Sequence, residues 1–417
     1  MTVTAETEVV DLCRELIRID SSNFGDGSGP GERLAAEYVA EKLAEVGINS
    51  VILESAPGRA NVLARWGNQN SPKPGLLIHG HLDVVPAEAS DWKLHPFSGE
   101  VADGFVHGRG AVDMKDFDAM LLAVVRERQR SGRIPDRPIT LAFTADEEAG
   151  SVQGANWLVE HHPEWFEGCT EAIGEVGGFS VDVRGQRLYL IEAAEKGISW
   201  LRLTATGTAG HGSMRNNDNA VNHLSRALVR LADHEWPIEP GPAMRQLLAT
   251  ISDITGEPGE PLELLAELGP AVRMLSSGVR NTLNATMLSA GYKHNVIPGQ
   301  ATANVDGRFL PGHETSFMAT IDDLAGPNVA VEKTIGARAL EYEYSGDLVD
   351  AMTLALHRND PGAHIAPYLM SGGTDAKAWD RLGITGFGFT PLRLPADLDF
   401  TALFHGIDER VPVDSLQ

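Results

Sequence analysis

The sequence predicts an α/β protein in two parts: an α/β sandwich made from both chain ends, and a smaller ferredoxin-like α+β domain inserted between them. Three observations lead there. The 417 residues exceed what one ordinary core organises. Strand-length apolar runs alternate with helical periodicity up to Lys196-Gly197. Beyond that dipeptide the order becomes strand, helix, two strands, helix, strand.

Taken in order, residues 6–20 place Val9, Val10, Leu12, Leu16 and Ile17 at helical spacing. Gly25–Gly31 is a loop opening on a second helix, Glu32–Val46, stopped by Gly47. Short β runs follow at Ser50–Leu53, Asn61–Arg65 and Gly75–His79, then a helix over Lys115–Arg130 and a strand over Ile139–Thr144. The inserted domain reads as strand Ile198–Thr206, helix Asn219–Leu231, strands Asn281–Tyr292 and Gln300–Leu310, helix Glu314–Leu324 and strand Asn328–Lys333. A Pro/Glu-rich, helical insert at about 236–280 interrupts it. From about 336 the first style returns, with Leu348–His357 as helix, Gly372–Arg381 opening another, and Ile384–Thr390 as a β run. The expected parts are therefore 1–197 and 336–417 for the larger domain and 198–335 for the insertion.

Bulk composition narrows the function. A formal charge of −24 with no Lys/Arg-rich run argues against nucleic acid and anionic membranes as partners. Two cysteines, Cys13 and Cys169, exclude a disulfide framework and any multi-thiolate zinc site. Met1–Val10 has neither a basic region nor an apolar region of a secretory signal, and no apolar stretch reaches membrane-span length. A cytoplasmic location is the expectation.

Chemistry concentrates in six short segments. Leu-Ala-Phe-Thr-Ala-Asp-Glu-Glu-Ala-Gly (141–150) delivers Glu147 and Glu148 from an apolar strand to a glycine turn. Adjacent residues on extended chain point different ways, so one carboxylate can hold a cation while the other reaches an attacking water. In His-Gly-His-Leu-Asp (79–83), His81 and Asp83 share a face, and Asp83 could fix the His81 tautomer. His79 shares that parity but has no Asp partner two residues on. Asp113 follows glycines in Gly-Arg-Gly-Ala-Val-Asp-Met-Lys (108–115), a setting that also suits a helix N-cap. Glu175 ends an apolar strand beside Gly177-Gly178, and His405 stands in Phe-His-Gly (404–406). The glycine-rich run 207–213 around His211 lacks a Walker ending, which leaves a nucleotide reading little support. Two imidazoles with several carboxylates suit zinc, with cobalt or manganese as alternatives.

The order of these motifs, from His81-x-Asp83 through Asp113, Glu147-Glu148 and Glu175-x-Gly-Gly to His405-Gly, resembles the dinuclear zinc aminoacylase/carboxypeptidase family over nearly the whole chain. That family includes aminoacylases, acetylornithine deacetylase, succinyl-diaminopimelate desuccinylase and glutamate carboxypeptidase. The resemblance implies a zinc-peptidase-like α/β sandwich carrying two divalent metal ions bridged by Asp113, with a cis peptide after it. His81 and Glu175 would complete one ion, and Glu148 and His405 the other. Glu147 would be the general base for a metal-activated hydroxide, with Asp83 in the catalytic set.

It further implies that the inserted domain is a lid that forms a homodimer. His211 would stabilise the oxyanion, often from the partner subunit. Arg308 would clamp a substrate carboxylate, Asn295 would hydrogen-bond substrate, and Gly373 and Thr374 would offer backbone contacts. The expected activity is hydrolysis of an amide beside a free carboxylate, in an N-acyl-amino acid or short peptide. The insert at about 236–280 resembles the larger carboxypeptidase-like and N-acyl-amino-acid hydrolase members more than the compact desuccinylases, which are the alternative together with acetylornithine deacetylase-type enzymes. A non-catalytic metal- or carboxylate-binding protein is the alternative of another class. The resemblance also leads one to expect a closing helix beyond His405.

Overall fold

A computed structural model describes residues 3–417; Met1 and Thr2, at the start of the first expected segment, lie outside the described residues. A ten-stranded mixed sheet forms the frame. Its path runs Ser50–Ala56, Arg59–Gly67, Pro138–Thr144, Gly75–His81, Cys169–Gly174, Thr385–Gly388, Gln186–Glu195 and Leu340–Glu341, with His364–Met370 and Phe179–Val183 also pairing on Gln186–Glu195. Helices Ala5–Ile17, Arg33–Ala44 and Lys115–Arg130 pack on it through the apolar stripe that sequence periodicity anticipates: Val9, Leu12, Leu16 and Ile17 are buried. Burying such side chains contributes about 1.5–3 kcal/mol each.

The topology fixes where chemistry can sit. Gly75–His81 lies parallel to both Pro138–Thr144 and Cys169–Gly174. The three strands therefore end at one edge, where loops leave the sheet. Their carboxyl ends deliver His81, the 145–150 turn and Glu175.

A second sheet of four antiparallel strands runs in the order Thr282–Ala290, Gln300–Phe309, Gly197–Thr206, Val329–Ala337. In chain order this is second, third, first, fourth, the split βαβ arrangement. Helices Ala220–Asp233 and Glu314–Ala325 cover one face, burying Leu224, Ala227, Phe317 and Ile321 in a core of its own.

Two expectations need revision. The helical stretch 242–275 of the insert at about 236–280, assigned to the inserted domain, folds back onto the large sheet, while Trp236 stays on Phe317 in the smaller core. Helix Pro242–Thr255 turns Met244, Leu247, Leu248 and Ile251 into the same core as Leu190 and Leu369. The periodicity announces an apolar face but not which sheet receives it. The helix expected over Gly372–Arg381 is reduced to Ala376–Trp379 and a 3₁₀ turn at Asp380–Leu382. Beyond His405, Arg410–Pro412 pairs with Phe105–His107 and a short helix, Val413–Leu416, follows. Strands Gln186–Glu195 and His364–Met370 were not anticipated; Pro367 in the second argues against a strand by sequence alone.

Candidate metal centre

Two groups of side chains meet at the sheet's carboxyl edge: His81, Asp113 and Glu175, and Asp113, Glu148 and His405. Asp113 belongs to both through opposite oxygens. Its Oδ1 lies 3.1 Å from His81 Nε2, and its Oδ2 lies 3.2 Å from His405 Nε2. Glu175 Oε2 is 3.5 Å from His81 Nε2, and Glu148 Oε2 is 3.0 Å from His405 Nε2. Glu147 Oε2 stands 4.0 Å from His81 Nε2, beside the group but outside both triads. The Asp113–Met114 peptide is cis, in line with the resemblance.

Charge crowding defines the electrostatics. Burial, then the neighbouring Glu175, pushes the Glu147 carboxyl well above the usual range. Burial likewise lifts Glu175 to about 7. His405 is raised to about 10, first by its hydrogen bonds to Asp113 and Glu148. Burial disfavours charge on His81, but Glu175, Asp113 and Asp83 outweigh it and hold its pKa well above the ordinary value. Glu148 Oε1 is buried without a hydrogen-bond partner. Paired imidazole and carboxylate donors, an orphaned carboxylate oxygen and this surplus of negative charge fit divalent cations with mixed N/O preference.

The surroundings hold the donors in place. His81 Nδ1 is 2.9 Å from the Asp83 backbone carbonyl and 3.5 Å from the Asp83 carboxylate. The carbonyl therefore orients the ring more directly than the carboxylate expected to do so. The carboxylate works elsewhere: Oδ1 accepts from Glu147 N and Oδ2 from Glu148 N, each at 3.1 Å. Glu409 accepts from Gly110 N at 3.0 Å and Val112 N at 2.7 Å, and pairs with Arg109 at 2.7 Å, fixing the loop that presents Asp113. Arg109 also donates to the His405 carbonyl. Sequence reading missed Glu409, because nothing local marks a partner 297 residues from Val112. His79 is a core residue: buried, edge-on to Trp379, and pushed down to about 3 by burial.

The remaining expected residues lie apart from this cluster. His211 is exposed, and its ring Nδ1 meets only Ser213, through Oγ at 2.8 Å and the backbone N–H at 3.3 Å, while its short strand pairs Val296 beside Asn295. Arg308 already grips a carboxylate, with Nε 2.7 Å and Nη2 3.1 Å from the two oxygens of Asp306. Thr374 is buried and spends its N–H and hydroxyl on Glu195, so it offers no free backbone donor. Gly373 packs against Ile198 and Lys377; a Cβ there would meet Lys377 Cε at 2.6 Å. No hydrogen bond or ion pair among the described residues joins His211, Asn295 or Arg308 to the imidazole–carboxylate cluster.

The model of peptidase family M20/M25/M40 matches residues 77–417, which hold every donor of the cluster. The chain belongs to that family. As an M20 member it is a metal-dependent hydrolase. The chain is 26% identical to the N-fatty-acyl-amino acid synthase/hydrolase PM20D1 of Xenopus tropicalis, covering 98% of this chain and 83% of that one. It is 27% identical to aminoacylase-1 of Sus scrofa, covering 96% and 90%. The fold is similar to the M20 family metallo-carboxypeptidase Sso-CP2 of Sulfolobus solfataricus, with TM-score 0.74, 18% identity and 98% and 96% coverage. A similar likeness links it to the dipeptidase Dug1p of Saccharomyces cerevisiae, with TM-score 0.68, 16% identity and 100% and 95% coverage. No helix among the described residues is long and apolar enough to cross a membrane.

Proposed function

We propose that this M20 member hydrolyses an amide next to a free carboxylate, in an N-acyl-amino acid or short peptide. The observation that carries it is the split of Asp113, one oxygen toward His81 and Glu175, the other toward Glu148 and His405, with Glu147 standing free beside them. His81, Asp113 and Glu175 would hold one divalent cation and Asp113, Glu148 and His405 a second, with zinc the expected metal. Such a pair supplies polarisation of the scissile carbonyl and an acidified water. Glu147, standing beside the group and outside both triads, would take a proton from the attacking water and return it to the departing amine. The Asp83 carboxylate holds the backbone from which Glu147 and Glu148 project.

The four-stranded sheet with its helices acts in this reading as the lid and homodimer element. There His211 donates to the developing oxyanion, Asn295 meets substrate, and Arg308 exchanges Asp306 for a substrate carboxylate. PM20D1 and aminoacylase-1 are named for acyl-amino acids, which supports that substrate class. The test is amide hydrolysis by zinc- or cobalt-loaded protein across acetyl- and long-chain acyl-amino acids, dipeptides, acetylornithine and N-succinyl-diaminopimelate. Turnover of the first two classes, abolished by chelation, is expected. Silence on every substrate from protein shown to hold two cations would favour a binding protein instead.

A further inference from the structure

The turn Asp146–Gly150 is held by more than Asp83. Residues 21–23 run beside 82–84: Ser22 bridges Val84, Asn23 N donates to Val84 O at 2.9 Å, and Ser21 Oγ donates to Leu82 O at 2.6 Å. This ladder sets Asn23, itself buried, against Asp83. The Asn23 amide then divides its two N–H groups, one to Asp83 Oδ2 at 2.9 Å and one to Asp146 Oδ1 at 3.0 Å. Its carbonyl accepts from Gly25 N at 3.0 Å and Arg59 Nη2 at 3.1 Å. Arg59 is anchored in turn by Glu32 at 2.5 Å. Only one orientation of the amide satisfies all four partners, so the network fixes which end carries the donors.

Two buried carboxylates drawn together repel, and each needs donors to stay in place. Asp83 holds Glu147 N and Glu148 N, while Asp146 occupies a left-handed backbone position at φ 65° and holds Gln153 N at 2.9 Å. We infer that Asn23 is a positioning residue: by giving one N–H to each of Asp83 and Asp146, it fixes the turn that aims Glu147 and Glu148 at the cation site. The inference rests on the function proposed above, because it assigns Asn23 no contact with substrate. Asn23 acts on Glu148, and so on the cation shared with His405, more than on the cation held by His81 and Glu175.

The experiment is titration of chelated wild-type, Asn23→Ala and Asn23→Asp protein with cobalt, read by calorimetry and the Co(II) absorption spectrum, alongside kcat and KM. Circular dichroism melts report whether each variant folds. Asn23→Ala should bind one cobalt as wild type does and the second about 10–100-fold more weakly, with kcat reduced and KM little changed. Asn23→Asp keeps the shape but replaces donors with a third carboxylate, so it should be the worse of the two. Equal affinities in all three proteins, or an Asp variant milder than Ala, would overturn the inference, since a packing role ranks them the opposite way. Wild-type protein that binds two cobalts but hydrolyses nothing, with the variants still weakened, would sink the proposed reaction and leave the positioning role standing. Wild-type protein that takes up no cobalt would overturn both.

Discussion

At the edge of the large sheet, His81, Asp113 and Glu175 form one close triad and Asp113, Glu148 and His405 another, with Asp83 pinning the turn of Glu148 and Glu409 the loop of Asp113. On the four-stranded sheet, His211 is exposed with a single neighbour two residues away, and Arg308 is bound to Asp306. The first group is preorganised before any ligand arrives, as electrostatic catalysis needs. The second has the residue types for substrate recognition but no geometry that uses them within one chain in this arrangement. In the reading proposed above, the reactive groups stay rigid and recognition is left to a part that approaches by closure or from a second subunit.

The largest expected effect falls on the rigid side. Glu147→Gln removes the carboxylate that faces His81 Nε2 from outside both triads, so kcat should fall about 10²–10⁴-fold, the range for a positioned acid–base group. Cobalt stoichiometry should not change. Loss of a bound cation in this variant would move Glu147 from base to ligand and dissolve the distinction between it and Glu148.

His211→Ala probes the other side of the comparison. Removing an oxyanion donor costs about 10²–10³-fold in kcat, while an exposed side chain bonded only to Ser213 should leave melting and cobalt binding as they were. If the donor comes from a partner chain, mixing this variant with Glu147→Gln should restore part of the activity. Full activity in His211→Ala alone would reduce the smaller sheet to a scaffold.

The same contrast governs what the sequence discloses. His81, Glu147, Glu148 and Glu175 are legible because apolar strands of recognisable length end on them, and parallel pairing then sends those ends to one edge. Asn23 and Glu409 are not, since their partners lie 60 and 297 residues away and no local pattern selects them. The helices of 242–275 carry a clear apolar face, yet the choice between two available cores is made only by tertiary packing. Arg308 shows the limit on chemistry: Asp306, two residues off, offers the anion that an isolated Arg would take from substrate.

The smallest expected effect, and the one that separates the regions most cleanly, is the pH dependence of stability without metal. His405 rises from 6.5 to about 10 in the folded protein, so its contribution is complete below about 6.5 and is lost as pH climbs through 10. Glu175 rises from 4.5 to about 7, so the folded state retains a proton that the unfolded chain releases, and stability again declines as pH passes from 4.5 through 7. Both slopes have one sign, so these two groups make chelated protein less stable as pH rises between about 6 and 8.5. They act against the opposite slopes of Lys196 and Lys115, which burial lowers to about 7 and 8. Cations want the deprotonated forms and bind more tightly over that interval. At a concentration of 100 Kd they add about 2.7 kcal/mol, so the gap between cobalt-loaded and chelated melts should widen with pH. The transition belonging to the four-stranded sheet, which lacks such a cluster among the described residues, should stay where it is if it melts separately. A gap that is constant across this range would mean that the imidazoles and carboxylates at the large sheet are not what the cations bind.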